Sequence, residues 1–194
     1  IMPVSFNIRN LMKDIQEMFR FRIKEKDLTF DLDLDHELPE IILADDSRIR
    51  QVVINLLGNA VKFTEEGKIT LCVEKLETGN WKLDVQQLTA DEQHSQDQVS
   101  SIQFQVSDTG VGIVPEELDN VFDPFVQTAS GQKSHQGTGL GMPISRQFVR
   151  MMGGDITVSS KVGKGSVFTF EIPVKVVEAA EVPSARSAQR VIRL

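Results

Sequence analysis

Apolar residues recur at threes and fours over Ile8, Leu11, Met12, Ile15, Met18 and Phe19, the spacing of a one-sided amphipathic helix. Ser5 is placed to cap that helix, which runs to about Lys24. Leu28, Phe30, Leu32 and Leu34 then alternate with Thr29, Asp31, Asp33 and Asp35, which predicts a strand with one wet face. Pro39 separates it from the apolar run Ile41-Ile42-Leu43. Asp45-Asp46-Ser47 supplies caps for a second helix, whose apolar set Ile49, Val52, Val53, Leu56, Leu57, Ala60 and Val61 forms a nearly unbroken stripe.

Strands are expected over Lys68 to Lys75 and Ile102 to Ser107, joined through a polar stretch, Ala90 to Ser101, that reads as a hairpin extension or loop. Pro115 suits the first turn of a short helix reaching about Phe125. The segment Gln127 to Gln136 is too polar to pack and reads as a lid. After Pro143 a further helix turns Ile144, Phe148, Met151 and Met152 to one side until Gly153-Gly154 ends it. Ile156 to Ser159 and Ser166 to Pro173 close the pattern as a hairpin across Gly163-Lys164-Gly165. Alternating helices and strands, with some strands adjacent, predict a layered sandwich with a mixed sheet and no internal repeat.

The chain of 194 residues, 40% hydrophobic, suits one well-buried domain. Its formal charge of -7, from 28 acidic and 21 basic residues, argues against a nucleic-acid surface, whose footprint is a basic patch. The single cysteine, Cys72, excludes an intrachain disulfide and reads as a buried structural thiol in the run Ile69 to Val73. No apolar stretch approaches the ~18 residues needed to cross a bilayer, and Ile1 to Asn10 lacks the charged-then-apolar layout of a signal peptide. A soluble fragment of a longer protein, without direct membrane contact, is expected.

Chemistry gathers at three places. On the second helix, at 100° per residue, Asn59 and Lys62 lie within about 40° of Asn55, with Arg48 and Gln51 alongside. Asparagine is a poor interior helix former. A carboxamide oxygen can ligate Mg²⁺, its NH₂ can donate to phosphate, and a lysine supplies a point charge. A plain solvated face is the alternative. Asp108 ends a strand and precedes Thr109-Gly110-Val111-Gly112-Ile113. The glycines let the backbone pass close to a ligand, and the carboxylate can accept the exocyclic amine of adenine. An ordinary Asp-Gly turn would look the same. Gly137-Thr138-Gly139-Leu140-Gly141 stands before a helix, whose first N–H groups can bind phosphate. It is neither a P-loop nor a dinucleotide fingerprint.

In this order the segments resemble the N box and glycine boxes of sensor histidine kinase ATP-binding domains, relatives of the gyrase and mismatch-repair ATPases. Asn55-Leu56-Leu57-Gly58-Asn59-Ala60-Val61-Lys62-Phe63-Thr64 is similar to the N box, and Phe122-Asp123-Pro124-Phe125 to the F box. The resemblance runs from about Pro3 to Pro173 and is greatest to hybrid kinases. It implies an α+β fold of Bergerat type, a two-layer sandwich whose mixed, mainly antiparallel sheet is covered by helices on one face. Residues 1–174 would form the catalytic domain and 175–194 a linker or tail.

It further implies ATP and Mg²⁺ as cofactors, with Asn59 as metal ligand and Asn55 and Lys62 assisting the phosphates. Asn59 and Lys62 would be the catalytic residues. Asp108, Gly110, Gly112, Ile113, Phe125, Gly137, Thr138, Gly139, Leu140 and Gly141 would complete the nucleotide site. The implied partners are the histidine-bearing dimerisation domain of the parent and a response regulator receiver domain, in the cytoplasm, with this fragment a monomer.

The phosphoacceptor helix itself is missing from the sequence. His36-Glu37-Leu38-Pro39 imitates the acceptor motif, but Pro39 breaks any helix there and the motif's later residues do not follow. Two rival functions remain: a nucleotide-gated interaction module without kinase activity, and an ATPase-driven clamp. The clamp enzymes carry a glutamate base in the N-box helix, where this chain has Asn55. Asp108-Thr109-Gly110 also matches the aspartic protease core, which needs a second copy that the chain lacks.

Overall fold

A computed structural model of the chain describes residues 1–76, 99–126 and 139–177. The strands are β1 (Val4–Asn7), β2 (Thr29–Leu34), β3 (Ile41–Ala44), β4 (Lys68–Leu76), β5 (Val99–Asp108), β6 (Asp155–Lys161) and β7 (Gly165–Val177). The helices are α1 (Ile8–Glu25), α2 (Asp46–Phe63), α3 (Pro115–Leu118) and α4 (Gly141–Met151). The strands form one sheet in the order β1-β3-β7-β5-β4-β2, with β6 also on β7. Among the described residues only β2 and β4 run parallel; the other pairs are antiparallel. This is the expected α+β sandwich with a mixed, mainly antiparallel sheet.

The core lies between one sheet face and the helices. On β4, Ile69, Leu71 and Val73 point inward, as the period-two pattern requires. Phe104 of β5 stacks on Phe170 of β7, ring centroids 4.6 Å apart. The whole predicted stripe of α2, Ile49 to Val61, is buried. Asp45 caps that helix by accepting from the Arg48 N–H at 3.0 Å.

Four local expectations change. Val4–Asn7 pairs with β3, so α1 starts only at Ile8 and its cap is Asn7, whose side chain accepts from Asn10 N, rather than Ser5. The helix at Pro115 stops at Leu118 and gives way to successive turns closed by Asn120 N to Glu117 O and Asp123 N to Asn120 O. On α4 the buried positions are Ser145 and Val149; Ile144 is 38% and Met151 47% exposed, because the helix meets α2 along the Met142–Ser145 edge. Cys72 faces away from the core, half-buried, with its thiol donating to Glu74. Burial and the Glu74 carboxylate push that thiol up to about 12, so it stays protonated.

Candidate functional site

Helix α2 is held on two sides, and those two contacts define the site. In its middle, the Asn55 NH₂ donates to Ser145 Oγ of α4 at 2.9 Å, and the Asn59 NH₂ donates to Met142 Sδ at 3.3 Å. The Arg48 guanidinium lies 4.2 Å from the Phe148 ring centre. Part of the predicted polar face is thus spent on α4 rather than on solvent. At its end, Phe63 O accepts from the Val111 N–H at 3.3 Å, which ties the helix to the turn after Asp108. A Cβ on Gly110 would collide with Phe63 O, so this approach requires glycine.

Asp108 is the last residue of β5. Burial pushes its carboxyl above the ordinary carboxylate range, partly offset by N–H groups of Gly110 and Ser166 that donate to it. The Gly110 bond is 2.8 Å to Oδ1. The β6–β7 hairpin braces this turn: Gly163 N donates to Val111 O at 2.8 Å, and Ile113 N to Ser160 Oγ at 2.8 Å. Ser160 Oγ lies 2.9 Å from Gly165 O and 3.0 Å from Ser166 Oγ. A hydroxyl has one proton, so Ser160 donates to Gly165 O and Ser166 donates to Ser160. Sequence reasoning missed both serines, because their role depends on a hairpin folding back over the turn.

Lys62 sits in the last turn of α2, its ammonium 4.7 Å from the Phe63 ring centre. Burial lowers its pKa from the usual lysine value. Gly139 (φ +70°) and Gly112 (φ +73°) use the left-handed backbone that glycine favours. Leu140 is the N-cap of α4 and provides no side-chain cap bond. Pro143 brings no N–H, which leaves the Gly141 and Met142 amides outside the helix's own ladder. Phe125 has φ +64°, is 77% exposed and donates its N–H to Gly139 O at 3.2 Å. Gly137, Thr138 and the lid Gln127 to Gln136 lie outside the described residues.

The segment before that lid is anchored by Arg146 of α4, whose guanidinium lies 4.8 Å from the Phe122 ring centre. Arg146 also donates to both carboxylate oxygens of Asp155 at 3.0 and 3.2 Å, and Arg150 adds two bonds at 3.3 Å. His36 lies exposed in the turn after β2, against Asp35, as expected of a residue outside any acceptor helix.

The residues suit a magnesium nucleotide. Glycine backbone stands where side chains would collide, a half-buried carboxylate faces a turn, two carboxamides and a partly desolvated ammonium share one helix, and the next helix starts without a side-chain cap. Fold and site together define a nucleotide-binding α+β domain. The chain belongs to the family described as histidine kinase-, DNA gyrase B-, and HSP90-like ATPases, whose model matches residues 44–176.

Its relatives are sensor histidine kinases. It is 35% identical over 172 residues to the aerobic respiration control sensor protein ArcB of Escherichia coli (strain K12), covering 88% of this chain and 19% of that protein. It is 37% identical over 174 residues to hybrid signal transduction histidine kinase B of Dictyostelium discoideum, covering 89% and 8%. The chain thus spans less than a fifth of these relatives' length. Among solved structures it is similar to full-length ShkA in complex with AMPPNP, with TM-score 0.71, 30% identity and coverage of 92% of this chain and 32% of that one. It is also similar to histidine kinase ThkA in complex with the response regulator TrrA, with TM-score 0.59, 26% identity and coverage of 88% and 41%.

Proposed function

We propose that this domain binds ATP with Mg²⁺ and presents the γ-phosphate to a histidine on a separate dimerisation domain of its parent protein. The observation that carries the reading is the position of α2, joined to the Asp108 turn at its end and to the first turn of α4 in its middle. One rigid element then spans from the base-recognising carboxylate to the phosphate-facing helix start. The AMPPNP bound by the similar protein ShkA supports nucleotide as the ligand.

In this reading Asp108 accepts from the adenine amine, a donor that guanine lacks at that position. Asn59 supplies the metal-ligating carboxamide oxygen, its NH₂ being turned to Met142. Asn55 is oriented by Ser145, and Lys62 meets the phosphates with an ammonium already partly stripped of water. Gly110, Gly112, Ile113 and Phe125 complete the nucleotide site. Gly139, Leu140 and Gly141 bring backbone to the phosphates, a role the resemblance implies for Gly137 and Thr138 as well. Bound Mg²⁺ would neutralise charge on the phosphate oxygens. The chain's own contribution is position and electrostatics, the acceptor and any general base lying on the other domain. The unit, expected over residues 1–174, extends to Val177, because Lys175, Val176 and Val177 of β7 pair with Leu43, Ile42 and Ile41 of β3, and 178–194 would form a linker or tail.

A response regulator receiver domain is the downstream partner, as the complex of ThkA with TrrA suggests by similarity. The site would face the cytoplasm, where ATP is; among the described residues no helix is long and apolar enough to cross a membrane. The test is to supply a histidine-bearing dimerisation domain of a similar kinase with labelled ATP. Acid-labile label on that domain is expected. ATP binding with no transfer to the parent's own dimerisation domain would favour a nucleotide-gated interaction module instead.

A further inference from the structure

The last four carbonyls of a helix have no partner within it, and on α2 every one is accounted for. Ala60 O accepts from Thr64 N at 3.0 Å, and Phe63 O from Val111 N at 3.3 Å. The two between them are taken by a residue from a different helix end. The Lys26 ammonium lies 2.7 Å from Val61 O, 3.3 Å from Lys62 O and 3.1 Å from Thr64 O. Lys26 is also the C-cap of α1, its own N–H donating to Arg22 O at 3.3 Å. Asp27 follows with φ +56°, the reversal that sends the chain into β2.

From this arrangement we infer that Lys26 is a positioning residue for Lys62, fixing the last turn of α2 so that the Lys62 ammonium is held at the nucleotide phosphates. The inference rests on the proposed nucleotide site and adds a residue to it. All three ammonium protons of Lys26 meet carbonyls, one of them belonging to Lys62 itself. A cation at a helix C-terminus is favoured by the macrodipole as well as by these bonds. The opposite side of the same turn is held by Val111, beside Asp108. Lys26 and Val111 therefore clamp the turn from two directions. The Lys62 side chain leaves from the clamped turn, so its reach to phosphate depends on both holds.

The test is calorimetric titration of Mg²⁺-ATP into the wild-type chain, Lys26→Met, Lys26→Arg, Lys62→Met and the double variant Lys26→Met/Lys62→Met. Lys26→Met keeps the apolar stem and removes the donors. It is expected to weaken ATP binding about five- to tenfold, and Lys26→Arg to restore it to within about twofold. The double variant is expected to bind no more weakly than Lys62→Met, because the two losses act through one contact. Amide hydrogen exchange at Thr64, without nucleotide, should be faster in Lys26→Met than in wild type.

Wild-type affinity in Lys26→Met beside weakened binding in Lys62→Met would overturn the inference and leave the nucleotide site standing. Fully additive losses would reduce Lys26 to a structural cap and overturn it equally. Unchanged Thr64 exchange would show that Lys26 does not hold the turn. Failure of the wild-type chain to bind ATP would overturn the nucleotide site, and the inference with it.

Discussion

Replacing Gly141 with alanine places a methyl group 2.5 Å from Asn55 Oδ1 and 3.1 Å from its Cγ. Ordinary contact begins near 3.4 Å, so the carboxamide must move by about 3.4 - 2.5 = 0.9 Å. It is pinned by its 2.9 Å bond to Ser145 Oγ, and a shift of that size away from α4 breaks the bond. Losing one such hydrogen bond costs about 1–1.5 kcal/mol. Alanine in a helix regains about 0.5–1 kcal/mol over glycine, so the melting temperature should stay within about 2–4 °C of wild type. If Asn55 serves the phosphates, Mg²⁺-ATP binding should weaken about tenfold. Gly58→Ala is the control on α2, since a Cβ there meets nothing within 4 Å. It should raise the melting temperature by about 2–4 °C with ATP affinity unchanged. Calorimetric titration and thermal unfolding of both variants read these quantities. A Gly141→Ala variant that binds ATP like wild type would refute the reasoning, because Asn55 would then be displaceable without consequence.

Asp45→Ala removes the α2 cap and a second bond, from Met2 N at 2.9 Å, and should cost about 1–2 kcal/mol in unfolding free energy at pH 7. Burial raises the Asp45 pKa, but the Met2 and Arg48 N–H groups outweigh it and the net shift is downward. Its stabilisation is therefore present above the unfolded value near pH 4 and lost as pH falls through the lower folded value, so wild type and variant should converge in acid. The Arg146 bonds, then Arg150, likewise hold Asp155 below the ordinary carboxylate range. Being half-exposed, the pair is screened, and Asp155→Asn should cost only about 0.5–1 kcal/mol in thermal unfolding, less in high salt.

Much of the architecture was legible because it is local. The α2 stripe is buried as a set, Asp45 caps it, and the alternation over Leu28 to Asp35 places Phe30, Leu32 and Leu34 of β2 against the core. The asparagines were singled out because they sit badly in a helix interior. Features that need a second element were not legible. β2 lies parallel to β4 across the intervening α2, and Ser160 and Ser166 reach the Asp108 turn only once the β6–β7 hairpin folds. Lys26 was invisible for the same reason: nothing near it in sequence marks it as the cap of a helix that ends 37 residues later, at Phe63. Cys72 was misjudged from an apolar run whose strand period puts it on the outer face.

The most direct test of the nucleotide site is calorimetric titration of Mg²⁺-ATP and Mg²⁺-GTP into wild type and Asp108→Asn. A bond to a charged group is worth about 1.5–3 kcal/mol, so ATP affinity should fall roughly ten- to a hundredfold in the variant. Because burial disfavours the Asp108 charge in the folded protein, the variant's melting temperature at pH 7 should not drop. Selective, Asp108-dependent ATP binding by a variant as stable as wild type is the predicted result. Equal binding of ATP and GTP, or ATP affinity unchanged in Asp108→Asn, would contradict the assignment of this carboxylate to adenine and the site built around it.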